Sequence, residues 1–157
     1  MRDTLDDLER LVDTFAGVDL ASSRGSVQFD LMLREAGFDF LGSGGTRAVV
    51  AIDDDRVAKI DYSPEATTNY EELSIWEEFG SEVEQLNPIY DTRSDGRILV
   101  MPRASVVFDK KVPRKYRKEL EAGKEILREI LPNNVDFTHD FNWGVVDGLV
   151  KCIDYAS

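Results

Sequence analysis

Cysteine is almost missing from this chain. Cys152 is the only one, which excludes an internal disulfide framework and a cysteine metal cluster. No apolar run reaches the roughly 20 residues needed to cross a bilayer. The acidic, amphipathic start MRDTLDDLERL is wrong for a secretory signal or a transit peptide. A cytoplasmic protein without membrane association is therefore expected. Internal repeats and low-complexity linkers are also lacking, so the expectation is one domain over residues 1–157.

Positive charge is scarce. Nineteen Lys and Arg face thirty-one Asp and Glu, a formal net charge of -12. That balance argues against a nucleic-acid partner, whose phosphates would be repelled. Asp outnumbers Glu and Arg outnumbers Lys, a bias that resembles proteins of salt-loving organisms or their viruses. In concentrated salt the Debye length shrinks to ~3 Å at 1 M, and such a surface repels itself little. A solvated acidic surface is the plain reading; an acidic decoy for a basic site on a protein partner is the alternative. The run Asp53-Asp54-Asp55 reads as an exposed turn rather than a metal site.

What is present suits a packed core: 42% of residues are hydrophobic and 32% charged, a globular rather than a disordered composition. Leu5, Leu8, Val12 and Phe15 share one face of a first helix, with Thr4 placed to cap it. A second helix is expected after Ser26, packing through Val27, Leu31 and Ala36 and stopping at Gly37. Strands are predicted at 38–41, 47–52 and 56–60, with Gly42-Ser43-Gly44-Gly45 between the first two. Ser63-Pro64-Glu65 starts a helix that runs to Phe79, where Tyr70, Leu73, Ile75 and Trp76 are available for packing. Strands at 88–90 and 97–101 follow, then a hinge-like stretch and a helix from Pro113 to Leu131. The loop 136–142 leads to a hairpin with Asp147-Gly148 as its two-residue turn.

Four segments can carry chemistry. Gly42-Ser43-Gly44-Gly45-Thr46-Arg47-Ala48-Val49 has missing side chains that let backbone N–H groups approach phosphate oxygens, though a flexible hairpin turn uses the same residues. Lys59 lies between Ala58 and Ile60, and burying an ammonium needs a counter-charge; otherwise it points to solvent from an alternating strand. Ile98 to Ala104 reads as a strand entering a loop. His139-Asp140-Phe141-Asn142, followed by Val150 to Asp154, places oxygen donors of the kind Mg²⁺ takes near the end of an apolar strand. Asn142 alone would pass for a turn residue.

In this order, from about Phe40 onward, the segments resemble the protein-kinase-like fold. The resemblance implies an α+β protein: a small lobe (38–104) with an antiparallel sheet and its C helix, a reduced C-terminal lobe (105–157), and an N-terminal helical extension (1–37). It implies ATP and Mg²⁺ as cofactors. Gly42, Ser43, Gly44 and Gly45 would cover the phosphates, with Arg47 in the place of the third glycine and a positive charge to offer. Lys59 would hold phosphates, oriented by Glu72, with Glu71 as runner-up. Met101 would take the gatekeeper place, and Ala104 would offer its N–H to the base. Asn142 and Asp154 would hold the metal.

The general base departs from the family pattern. Its usual place, five residues before the asparagine, is held by Phe137, leaving Asp136, Asp140 and His139 as the catalytic candidates. Tyr155-Ala156 stands where Phe-Gly is usual, and no activation segment follows, so regulation by activation-loop phosphorylation is not expected. A nucleotide-binding pseudokinase or weak phosphotransferase is the reading preferred. An active minimal ATP-dependent kinase and an acidic interaction module without nucleotide remain the alternatives.

Overall fold

Asp3, rather than Thr4, starts the first helix in this computed structural model, which describes residues 3–156. The Asp3 carboxylate accepts the Leu5 N–H at 2.9 Å, satisfying one of the helix's free donors, and α1 runs Thr4–Asp13. The second helix begins earlier than the sequence suggested. Ser22 caps α2, Ser23–Glu35, by accepting the Gly25 N–H. Its buried residues are Phe29 and Leu33, while Val27 and Leu31 are 66% and 53% exposed. The expected packing face was therefore turned the wrong way, because the i, i+4 pair 27/31 and the pair 29/33 share a periodicity and only tertiary packing distinguishes them.

Three strands follow: β1 (Asp39–Ser43), β2 (Arg47–Ala51) and β3 (Arg56–Asp61). Helix α3 spans Thr67–Phe79, and the Ser63 hydroxyl accepts the Thr67 N–H at 3.1 Å. Strand β4 is Asp91–Arg93, displaced from the expected 88–90, and β5 is Ile98–Pro102. Between them Ser94, Asp95 and Gly96 all take positive φ. The stretch read as a hinge contains a short strand, β6 (Val106–Val107). Then come α4 (Arg117–Ile130), two short 3-10 turns at Asp136–Thr138 and Asp140–Asn142, and the hairpin β7 (Trp143–Val146) and β8 (Leu149–Cys152). Asp147 and Gly148 close that hairpin with positive φ at both positions, as a two-residue turn of this kind requires.

The protein is thus α+β, with four α-helices and a five-stranded antiparallel sheet, β1-β2-β3-β5-β4, among the described residues. A second antiparallel sheet has the order β6-β7-β8. Among the described residues no helix is long and apolar enough to cross a membrane.

The chain divides into two compact units. The first comprises the residues up to Tyr70 with Ile89–Arg103; the second comprises Glu71–Pro88 with the residues from Ala104 onward. In the first unit one face of the large sheet, Ala48, Val50, Ala58, Ile60, Ile98 and Val100, is buried with Leu5, Leu8, Val12, Phe29 and Leu33 of α1 and α2. The N-terminal helices therefore belong to the core of this unit. Tyr62 is fully buried, and its hydroxyl donates to Asp30 at 2.7 Å; burial and that carboxylate push its pKa up.

Arg97 fastens the same helices to the sheet. It is 4% exposed and donates to four backbone carbonyls, those of Phe15, Val18, Asp61 and Tyr62. Burial lowers its pKa, but a guanidinium stays charged in proteins.

The second unit is built on α4 and the small sheet. Leu120, Gly123, Lys124 and Leu127 are the buried positions of α4, which packs against β8. Gly123 is required by close approach: a Cβ there would lie 2.9 Å from the Trp143 ring. The Trp143 indole N–H donates to the Phe137 carbonyl at 2.7 Å. The segment before Pro88 joins β8 through a parallel bridge between Leu86 and Cys152.

Candidate functional site

In the first unit, strand alternation sends Ala58 and Ile60 into the apolar core, so Lys59 projects from the opposite face of the sheet. Lys59 pairs in register with Val49 on β2 and Leu99 on β5, and it is only 6% exposed. Lys59 is therefore buried, and the alternative of a solvent-facing lysine does not hold. Met101 lies on the same face, fully buried and opposite Val57.

Gly42 and Ser43 lie in β1, opposite Val49 and Ala48, with the register shift at Leu41. Gly44 donates its N–H to the Arg47 carbonyl at 2.9 Å, closing the turn. A Cβ at Gly42, Gly44 or Gly45 would meet nothing within 4 Å, and none of the three has positive φ. Neither steric crowding nor backbone conformation within the protein demands glycine there. The open space is of the kind that close approach by an external group would use.

Arg47 is not directed as expected. It is 6% exposed, and its guanidinium donates to the Asn69 Oδ1 at 3.2 Å. Asn69, fully buried on α3, spends its amide N–H groups on the carbonyls of Lys59, Gly96 and Arg97. The Asp61 carboxylate accepts the backbone N–H groups of Ser63 and Asn69. Sequence reasoning missed Asn69, Asp61 and Arg97. The one available signal was Asp61, a carboxylate ending an apolar strand.

Helix α3 buries polar residues: Thr68, Asn69 and Glu72 are its buried positions, while Tyr70 is 48% exposed. In the second unit Glu72 is fully buried, and its Oε2 accepts the N–H groups of Tyr155 at 2.9 Å and Ala156 at 3.1 Å. Glu71 is exposed. Of the two carboxylates Glu72 is the buried one, and it accepts from the backbone immediately after Asp154.

The second unit also gathers Asp136, Asn142 and Asp154. The Asn142 side-chain amide donates to the Asp136 carbonyl at 2.8 Å. The Asn142 carbonyl accepts the N–H groups of Ile153 at 2.8 Å and Asp154 at 3.3 Å. With its N–H₂ engaged, Asn142 keeps Oδ1 as an acceptor, and among the described residues no hydrogen bond reaches that oxygen. Ala104, half-buried, precedes Ser105, whose N–H donates to the Val145 carbonyl.

The three candidates for a base sit differently. Asp136 shares its loop with Asn142 through the bond just described. Asp140 is paired with Lys124 at 2.5 Å and with Arg117 at 3.2 Å. The Lys124 ammonium foremost, then Arg117, holds its carboxyl below the usual range. His139 is exposed and stacks on Phe141, ring centroids 5.0 Å apart. Phe137, in the place the base would take, is 2% exposed and serves packing. Lys124, also missed in the sequence, lies beside Gly123 on the apolar stripe of α4.

No protein-family model matches the chain, and no curated protein matches it. The chemistry of the residues therefore carries the functional reading.

Proposed function

We propose that this chain is a kinase-like nucleotide-binding protein, a pseudokinase or weak phosphotransferase. The observation that carries the reading is the pairing of Asn142 and Asp154, with the Asn142 amide turned so that Oδ1 remains available. Two protein oxygens suit Mg²⁺, which keeps waters and phosphate oxygens for the rest of its shell. Among the described residues there is no group of three or more His, Cys, Asp or Glu that would form a complete protein cage. When bound, the metal would neutralise charge on the nucleotide phosphates.

In this reading Lys59 neutralises phosphate charge. The turn at Gly42–Gly45 lets backbone N–H groups approach the phosphates. Met101 and Ala104 address the base. Arg47 takes no part, since Asn69 holds its guanidinium. Weak transfer follows from the candidates for a base. A carboxylate ion-paired as Asp140 is has lowered proton affinity, and Phe137 has none. Any residual transfer is assigned to Asp136, because positioning and electrostatics supply most of phosphoryl-transfer catalysis.

Calorimetric titration with Mg-ATP in concentrated KCl tests this. Saturable binding by the wild type, lost in Lys59→Ala, is the expected result. Folded wild-type protein that gives no binding heat at any salt concentration would overturn the reading and leave an acidic interaction protein. Phosphate release above an Asp154→Ala control would move the assignment from pseudokinase to active enzyme.

A further inference from the structure

The net charge hides a basic face. Residues 109–118, DKKVPRKYRK, hold Lys110, Lys111, Arg114, Lys115, Arg117 and Lys118, with Asp109 the single acid, in a chain of net charge -12. Four of the seven lysines of the protein fall in these ten residues. All six cations are exposed. Arg117 reaches Glu121 and Asp140, but the other five make no salt bridge among the described residues. Lys115 lies over the Tyr116 ring, 5.0 Å from its centroid. Thirty-one acids offer abundant partners, so five cations left without an ion pair are unexpected.

Their placement also costs stability. Arg117 and Lys118 open α4, where the helix dipole is positive and acidic residues are favoured; Glu119 is the only acid in that turn. Residues 114–118 turn through a 3-10 and an α-helical segment, so these charges fall within about 8 Å along the axis. At that spacing, close to the Debye length of about 8 Å in physiological salt, they repel one another. Apart from the Arg117 ion pairs and the Lys115–Tyr116 contact, nothing among the described residues offsets this repulsion.

We propose that 110–118 is a docking surface for an acidic polypeptide segment, independent of the nucleotide reading. Its extent selects the occupant. Beyond Lys118 the helix turns acidic with Glu119, Glu121, Glu125 and Glu129. A nucleic-acid strand carries its charge continuously and would run onto that surface, whereas a short acidic segment ends where the basic stretch ends. A second copy of this chain would dock its acidic surface on the patch in a head-to-tail contact, which builds rings or open chains and shows as self-association.

The test is fluorescence anisotropy with a labelled deca-glutamate peptide in 50 mM KCl. Beside it run an uncharged Ser-Gly peptide and a ten-nucleotide oligothymidylate. Binding of deca-glutamate alone, weakening with salt, is the expected result. The quadruple variant Lys110→Gln, Lys111→Gln, Lys115→Gln, Lys118→Gln should bind about ten-fold or more weakly, as four exposed ion pairs are lost together. The control Arg24→Gln, Arg34→Gln removes charge elsewhere and should bind like the wild type. Equal loss in the control, unchanged binding in the quadruple variant, or no peptide binding at all would overturn the proposal. Tighter binding of oligothymidylate would overturn it in favour of nucleic acid. Patch-dependent self-association in sedimentation velocity would overturn it in favour of a second copy.

Discussion

The two units hold contrasting groups of cations. In the first, Arg47 and Arg97 are buried, Arg47 bonded to the Asn69 side chain and Arg97 to four backbone carbonyls. In the second, Lys110, Lys111, Arg114, Lys115 and Lys118 are exposed and make no ion pair among the described residues. A buried cation must be compensated because desolvation is costly. An exposed one loses little when left alone, so its position records something other than folding. The contrast teaches that charge in this protein is informative where it is uncompensated, not where it is most numerous.

Arg97→Ala should separate the units most sharply. It leaves four carbonyls without their shared donor and is expected to cost about 3–5 kcal/mol, seen as a large drop in the urea midpoint. A loss under 1 kcal/mol would show that water replaces the guanidinium and that the first unit does not depend on it. Next comes Glu72→Ala, which strands the Tyr155 and Ala156 N–H groups. About 2–4 kcal/mol is expected, with amide exchange at those two positions accelerated.

Asp140→Asn is expected to cost on the order of 1 kcal/mol at neutral pH, because the pair with Lys124 is partly exposed and screened. Its pH dependence is the sharper reading. Lys124 holds the Asp140 carboxyl below its ordinary value, so the stabilisation is complete above the ordinary carboxylate range. It is lost as pH falls through the lower folded value. The wild type and Asp140→Asn should therefore converge in stability in strong acid; a gap that persists there would mean that the pair is not the source. The smallest effect, and the one most able to break the comparison, is Lys118→Glu. It swaps an unpaired cation at the positive end of α4 for an acid, and should raise stability by about 0.3–1 kcal/mol. A destabilised Lys118→Glu would mean that the basic stretch supports the fold after all.

Some of the candidate residues have the burial and bonding that the sequence led one to expect: Lys59 and Glu72 are buried, and the Asn142 carbonyl accepts the Asp154 N–H. The buried faces of the helices were less legible. Phe29 and Leu33, not Val27 and Leu31, pack α2, and α3 buries Asn69 and Glu72 while leaving Tyr70 outside. Periodicity marks a stripe but does not choose between two stripes, and burial of polar side chains on α3 runs against the rule by which stripes are read. Arg47 was misdirected for a related reason: it follows the glycine cluster 42–45 closely in sequence, while its partner Asn69 lies 22 residues away.

The sequence by itself determined most of the order and kind of the elements, the short strands β4 and β6 excepted, because those follow from local chemistry. Asp147-Gly148 closes a two-residue hairpin, Gly37 ends α2 with φ of 88°, and the mostly apolar run within 56–61 makes a buried strand. Only the tertiary structure decided which polar groups are buried and who satisfies them. Arg97 bonds to the Phe15 carbonyl across 82 residues, and Glu72 accepts from Tyr155 across 83. Such bonds form because a buried carbonyl or carboxylate takes whichever donor folding brings to it, and no local pattern encodes that choice.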